Sequence, residues 1–323
     1  MIDSFGRDIE YMRVSITDRC NLRCKYCMPE DLPDIPHEEI LRYEEILRVC
    51  AAAVQLGIRN FRVTGGEPLV RLGCVDFLKE LKKLPGAGKI MITTNGVLLE
   101  RYIPDLRDLD VHSVNISLDT TDREVYRQLT GTDAFDKVWR GIEAAVAAGL
   151  RVRLNCVALR GINEGALLSM AALAGRYPLD VRFIESMPIG AGDGFAPTPG
   201  SEILALLRQN YPGLEEDSQR RGFGPAVYYK HEGLQGRIGL INAVSHAFCD
   251  KCNRIRLTSD GLLKTCLYFG QATDLKPILR QAGCDDQGLC AAIRDAVNQK
   301  PEKHHFGEAA PGAESRKMSQ IGG

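Results

Sequence analysis

Between residues 11 and 186 the chain alternates short runs rich in apolar and β-branched residues with longer stretches of helical period. The strand-like runs lie near 11–17, 58–64, 89–94, 111–119, 151–158 and 179–186, and helical stretches fill the gaps. The stretch 37–56 is an example: Ile40, Leu41, Ile46, Leu47, Val49, Cys50 and Val54 recur at helical spacing, and Gly57 stands where a helix would stop. Such alternation builds parallel β/α units. Six units fall short of the eight of a closed barrel. The expected fold is therefore α/β, a partial (β/α)6 TIM-like barrel over residues 1–225, with residues 226–323 closing its open side.

Within the strands the period of two carries more information. Arg13, Ser15 and Thr17 share one face while Val14 and Ile16 share the other. In the fourth run Ser113, Asn115, Ser117 and Asp119 oppose Val114, Ile116 and Leu118; in the fifth Arg151, Arg153 and Asn155 oppose Val152, Leu154 and Cys156. If the apolar faces lie under the helices, the polar faces point into the barrel. Ordinary barrels fill that space with branched apolar side chains, so a polar interior implies a cavity for a polar ligand. A mixed sheet with one solvated face would show the same alternation.

The formal net charge of -1 gives no electrostatic case for bulk nucleic-acid or membrane binding. The N-terminal residues show no apolar signal region, and no stretch is long and apolar enough to span a bilayer. The chain has 11 cysteines. With six of them in metal-like spacings and no secretory signal, a reducing cytoplasm is the expected setting. Cys50, Cys74 and Cys156 lie among apolar neighbours and read as small core residues.

Cys20, Cys24 and Cys27 form a C-x3-C-x2-C run with Tyr26 before the last thiol, directly after the first strand. Three closely spaced thiols suit an iron–sulfur cube, which normally takes four cysteines, so one iron is left open for another ligand. Cys249, Cys252 and Cys266 form a C-x2-C-x13-C array that again stops at three. No second C-x2-C follows to complete a zinc ribbon, although His246 offers a fourth ligand for a Cys3His zinc site. The two triads together read better as two clusters, each with one open iron.

Thr64-Gly65-Gly66-Glu67-Pro68 follows the second strand; its glycines let backbone approach a ligand, and Glu67 offers a carboxylate to a cationic group. Arg254 and Arg256 flank Ile255 after the second triad, and Arg13, Arg62 and Arg153 fall on barrel strands. Arginine suits bidentate phosphate recognition, and this set together points to a polyphosphate.

The cysteine run resembles the signature of the radical S-adenosylmethionine (SAM) enzymes. Over nearly the whole chain the residues resemble the GTP 3′,8-cyclases, which begin molybdenum cofactor biosynthesis. The resemblance rests on Cys-Asn-Leu-Arg-Cys-Lys-Tyr-Cys-Met, Arg-Val-Thr-Gly-Gly-Glu-Pro-Leu, Thr-Thr-Asn-Gly, Asn-Ile-Ser-Leu-Asp, Arg-Phe-Ile-Glu-Ser-Met-Pro, the second triad with its Arg-Ile-Arg, and the terminal Gly-Gly. It implies two 4Fe–4S clusters, the first held by Cys20, Cys24 and Cys27 and the second by Cys249, Cys252 and Cys266. It places Tyr26, Gly66, Ser117 and Met187 around SAM, with the Gly-Gly-Glu segment at its amino group. It places Arg13, Arg62, Thr93, Arg153, Arg254, Ile255 and Arg256 on GTP, whose guanine would sit on the open iron of the second cluster. At Arg153 such proteins more usually carry lysine, which keeps the charge and alters the phosphate geometry.

The resemblance further implies a lyase that takes hydrogen from C3′ of the ribose and joins that carbon to C8 of guanine, with Gly322 and Gly323 reaching into the active site. An electron donor, a homodimeric assembly, and cyclic pyranopterin monophosphate synthase as the next enzyme belong to the same expectation. Residues from about 300 onward otherwise read as polar and weakly structured. The rival readings are a radical SAM maturase acting on a peptide through an auxiliary cluster, and a non-catalytic iron–sulfur carrier or assembly platform.

Overall fold

A computed structural model of the chain describes residues 1–28, 35–219, 221–281, 285–306 and 312–322. Its six barrel strands are β1 (Tyr11–Ser15), β2 (Asn60–Thr64), β3 (Ile90–Thr94), β4 (Ser113–Ser117), β5 (Val152–Ala158) and β6 (Asp180–Glu185). They pair parallel in chain order, and each matches an expected run trimmed by no more than two residues at either end. Between them run α1 (Tyr43–Gln55), α2 (Cys74–Lys83), α3 (Leu99–Asp108), α4 (Arg123–Thr130) and α5 (Phe135–Ala147), and α6 (Leu167–Arg176) follows β5.

The first helix is shorter than its sequence pattern. Residues His37–Glu39 form a separate turn, and the Leu41 amide donates to the Ser259 carbonyl at 2.8 Å, which draws it out of the helix. The helix starts instead at Arg42, whose amide donates to Glu45 Oε2 at 2.7 Å in a capping box. It ends as expected, with Gly57 at φ 89° in the left-handed region.

The C-terminal half adds strands at both edges of the same sheet. After α7 (Gly200–Asn210), β7 (Glu215–Asp217), β8 (Val227–Lys230) and β9 (Ile238–Ile241) extend it beyond β6, to which β9 pairs parallel. At the other edge β10 (Arg254–Leu257) pairs parallel with β1, followed outward by β11 (Leu262–Lys264) and β12 (Thr273–Asp274). Among the described residues the sheet has 12 strands and stays open, ending at β12 and β7. It runs without a break across residue 225, because β7 and β8 pair with each other. After β12 come α8 (Lys276–Arg280) and α9 (Asp286–Asn298), and the latter packs on α1 with Cys290 Sγ 3.8 Å from the Ala52 carbonyl.

The apolar set of each strand faces the helices. Met12, Val14, Phe61, Val63, Ile92, Val114, Ile116, Leu154, Phe183, Leu240, Ile255 and Leu257 are buried in one core. Burial of each such side chain is worth about 1.5–3 kcal/mol, which lets the opposite, interior face remain polar. Cys50, Cys74 and Cys156 belong to that core as expected. Among the described residues no helix is long and apolar enough to cross a membrane.

Candidate active site

The interior face carries the row of arginines that the two-residue period implied. Arg256 on β10 is the register partner of Arg13 on β1, and Arg13 is the partner of Arg62 on β2. Two residues earlier, Arg254 stands opposite Tyr11. Neighbouring strands lie about 4.8 Å apart. Charges at about that spacing repel by about 3 kcal/mol per pair at an effective dielectric near 20. Among the described residues no carboxylate pairs with Arg62, Arg182, Arg254 or Arg256. The Nε atoms of Arg254 and Arg256 are buried without a hydrogen-bond partner. Burial pulls Arg13 down to about 9 and Arg256 to about 10, with neighbouring guanidinium groups adding to it. A guanidinium does not release its proton in a protein, so the row stays cationic.

The remaining interior groups tie this row together. Arg62 Nε donates to the Tyr11 hydroxyl at 2.6 Å, and its Nη1 reaches Thr93 Oγ1 at 3.5 Å. Arg182 on β6 donates twice to Asn155 Oδ1, at 2.9 and 2.5 Å. Arg153 is largely spent within the chain: it donates to Ser113 Oγ at 3.1 Å and to the Arg221 carbonyl, and its Nε lies 3.5 Å from Asp180 Oδ2.

The first cysteine triad sits at the mouth where the strands end. The loop after β1 is pinned to the segment after β2 by Gly66 N donating to the Thr17 carbonyl at 2.7 Å and Glu67 N to the Arg19 carbonyl at 2.8 Å. This close approach requires glycine. A Cβ on Gly65 would stand 2.6 Å from the Thr17 carbonyl oxygen, and one on Gly66 2.4 Å from that of Arg19. Gly66→Ala is therefore expected to push the cysteine loop away and lower iron bound at Cys20, Cys24 and Cys27 several-fold. Unchanged iron content after anaerobic reconstitution would exclude this role.

Glu67 also has a structural part. Its carboxylate is fully buried and accepts from Leu69 N (3.0 Å), Thr94 Oγ1 (2.8 Å) and Asn95 N (2.6 Å), so it braces the turn. Burial raises it to about 7.

Burial also raises Cys20, Cys24 and Cys27, the last to about 12; neighbouring thiols and Asp119 add to it at Cys24 and Cys27, and Glu67 at Cys20. Metal binding here would displace protons. Tyr26 donates to Asp119 Oδ2 at 2.7 Å, and Asp119 Oδ1 accepts from Val157 N at 2.8 Å. Ser117 ends β4 and Met187 follows β6, so Tyr26, Gly66, Ser117 and Met187 all lie at the mouth formed by the strand C-terminal ends. Gly192 allows the chain after β6 to fold there, since a Cβ would come 2.7 Å from the Met187 carbonyl oxygen.

The second triad sits at the opposite mouth. Cys249 and Cys252 precede β10, which is parallel to β1, and Cys266 follows β11, which is antiparallel to β10. All three therefore lie at the β1 N-terminal end, whereas Cys20, Cys24 and Cys27 follow its C-terminal end. From Tyr11 to Ser15 is four residue steps, about 13 Å at about 3.3 Å per residue. The electrostatic setting is also opposite. Lys300, only 3 % exposed, donates to the Arg254 and Thr265 carbonyls beside these thiols. Burial alone would raise Cys252, but Lys300, Arg254 and Arg256 outweigh it and bring the thiol down to about 7. His304 N donates to Cys249 Sγ at 3.5 Å. His246 is exposed, and among the described residues no three Cys, His, Asp or Glu side chains converge tightly enough for a single ion.

The tail departs from the weakly structured reading. Gly270 N donates to the Gly312 carbonyl at 2.8 Å, and Glu314 N to that of Tyr268 at 2.7 Å. A turn at Met318–Gln320 follows, Ile321 is fully buried, and the Ser319 amide reaches Cys27 Sγ. Gly322 then lies at the first mouth, where a Cβ would meet Ser15 Cβ at 3.2 Å and Thr64 Cγ2 at 3.6 Å. Gly323 lies outside the described residues.

The fold thus gathers Arg13, Arg62, Thr93, Arg254 and Arg256 on one interior, with a cysteine triad at each end. It does not bring in the Ile255 side chain, which is in the core behind the sheet. Arg151 lies exposed just before β5 rather than inside. Sequence reasoning missed Tyr11 and Arg182, although Tyr11 lies two residues before Arg13 on β1 and so shares its face. Lys300 carried no local signal, since only tertiary folding sets it beside the second triad.

The Radical SAM superfamily model matches residues 14–174, and the Molybdenum Cofactor Synthesis C model matches residues 179–306. The chain is 46% identical over 329 residues to a GTP 3′,8-cyclase of Heliobacterium modesticaldum, covering 100% of both. It is 45% identical over 327 residues to a GTP 3′,8-cyclase of Moorella thermoacetica, again covering 100% of both. Among solved structures it resembles SuiB of Streptococcus suis bound to S-adenosylmethionine, with a TM-score of 0.64 at 14% identity over 97% of this chain and 78% of that one. That last likeness concerns the fold.

Proposed function

Because the chain belongs to the GTP 3′,8-cyclase family of the radical SAM superfamily, we infer that it converts GTP to 3′,8-cyclo-7,8-dihydro-GTP, the first step of molybdenum cofactor biosynthesis. One observation carries this reading: a polar interior, to whose Arg62, Arg182, Arg254 and Arg256 the described residues offer no carboxylate partner, runs between two cysteine triads at its opposite mouths.

The residues present fit the groups this reaction needs. Three soft thiol donors at the first mouth suit a 4Fe–4S cluster with one open iron, and Tyr26, Gly66, Ser117 and Met187 surround the space for SAM. The cluster and SAM, when bound, supply the radical chemistry that removes a ribose hydrogen. The chain's own contribution is placement, charge and exclusion of water. Cys249, Cys252 and Cys266 hold a second 4Fe–4S cluster in this reading, with Lys300 offsetting its charge. Arg254 and Arg256 take the end of GTP nearest that cluster, while Arg13, Arg62 and Arg182 neutralise phosphates along the interior. Thr93 holds Arg62 in line. The same reading includes an external electron donor, a homodimer, a cytoplasmic setting, and cyclic pyranopterin monophosphate synthase acting on the product.

Replacing Arg254 or Arg256 by alanine tests it. Either change should weaken GTP binding by about 1.5–3 kcal/mol, the range for charged hydrogen bonds, or about 10- to 150-fold in Kd. Iron content and melting should change little. Equal GTP affinity of the variants and the parent chain, measured anaerobically, would overturn the assignment. A peptide maturase or a bare iron–sulfur carrier would also fail to form 5′-deoxyadenosine in a GTP-dependent way.

A further inference from the structure

The tail is held by a device that its role in the reaction does not by itself require. Lys264 on β11 is the register partner of Arg256 and lies two residues before Cys266. Its ammonium is fully buried, and it donates to the Phe269 carbonyl at 2.5 Å and to Glu314 Oε2. Glu314 is 2 % exposed in its side chain, and its other oxygen accepts from the Arg316 amide at 2.9 Å. Arg316 extends the contact to Asp260 at 3.7 Å, in the turn between β10 and β11. The Lys264–Glu314 pair is flanked by backbone hydrogen bonds from Glu314 N to the Tyr268 carbonyl and from Gly270 N to the Gly312 carbonyl. Within the described tail this pair is the one ion pair sealed from solvent.

A buried carboxylate and ammonium each cost several kcal/mol to desolvate, and either left alone is worse than both together. The tail therefore docks with Glu314 on Lys264 or loses that seat entirely. Gly190, at φ 55°, lets the loop after β6 close over the next residues, since a Cβ there would stand 3.1 Å from the Arg316 carbonyl oxygen. Between this seat and Gly322 there is no slack beyond a single turn at Met318–Gln320.

We propose that Lys264 and Glu314 form a positioning pair that latches the tail to the hairpin bearing Arg256 and Cys266, so that Gly322 reaches the first mouth only when this hairpin is in place. The proposal rests on the reading of the tail as part of the active site, and it adds the residues that set it there.

The test uses the full chain with both metal sites reconstituted anaerobically. Glu314→Gln keeps the shape and removes the charge. Trypsin cleavage after Arg316 and Lys317, followed by mass spectrometry, should speed up at least tenfold, while iron and sulfide content stay within a fifth of the parent. GTP-dependent 5′-deoxyadenosine formation should fall at least tenfold, mainly in kcat, with KM for GTP within threefold. Lys264→Met with Glu314→Leu replaces the pair by apolar groups and should recover most of the tryptic protection. Unchanged cleavage in Glu314→Gln would overturn the latch, as would loss of iron from the second site with the tail still protected. If cleavage rises but turnover stays normal, the latch stands and the reading of the tail as part of the active site fails.

Discussion

A variant with Cys249, Cys252 and Cys266 all changed to alanine is expected to lose about half of the reconstituted iron, keep SAM binding, and form no cyclised nucleotide. The expectation follows from the placement of the triads. They occupy opposite mouths of the sheet, separated by the length of β1, and share no side chain, so each should assemble alone. The first triad is enclosed by Gly66, Tyr26 and the loop after β2, none of which touches the second. The complementary variant of Cys20, Cys24 and Cys27 should remove the other share of iron and all SAM cleavage. Iron and acid-labile sulfide analysis with a SAM-binding isotherm would check both. Zinc at the C-terminal triad of anaerobically purified protein, or loss of both shares of iron from either variant, would contradict the two-cluster reading.

Much of this arrangement was legible because side chains alternate with period two along a strand and the helices cover only one face. That alternation points Arg13 and Arg153 inward, and both share the interior with Arg62, which the sequence placed only on a barrel strand. What stayed hidden depends on how distant segments meet. The sequence pattern of Arg254-Ile255-Arg256 placed two arginines on one face, but only the parallel pairing of β10 with β1 makes Arg256, Arg13 and Arg62 a continuous row. That same pairing sends the two triads to opposite ends. Glu67 looked available because a carboxylate after two glycines suggests a ligand. Its oxygens also accept from Leu69 N, Thr94 Oγ1 and Asn95 N, a bracing role that only the fold reveals. The 37–56 helix was overextended because apolar period cannot report that the Leu41 amide is claimed by Ser259. Composition also misjudged the tail. Residues from about 300 onward read as polar and weakly structured, yet Lys300 and Glu314 are among its most buried side chains.

Gly322→Val is expected to abolish GTP-dependent SAM cleavage while both metal sites and the melting transition persist. Gly322 has φ 81°, a region that a β-branched residue occupies only under strain. There is also no room for the side chain, because its first carbon would already lie 3.2 Å from Ser15 Cβ and close to Thr64. Ser15 and Thr64 are rigid strand residues, paired in register on β1 and β2, so the tail must yield rather than the barrel. Displacement of the last turn gives up chiefly the burial of Ile321, about 1.5–3 kcal/mol. It costs the reaction far more if the terminal glycines shape the space beside the first cluster. Gly322→Ala, which adds only the first carbon, should retain a small residual rate and thereby separate crowding from a general loss of the tail. The measurement is 5′-deoxyadenosine released per minute with and without GTP, read beside the iron content of each variant. Normal turnover of Gly322→Val would make the tail a passive terminus, and its burial a matter of packing alone.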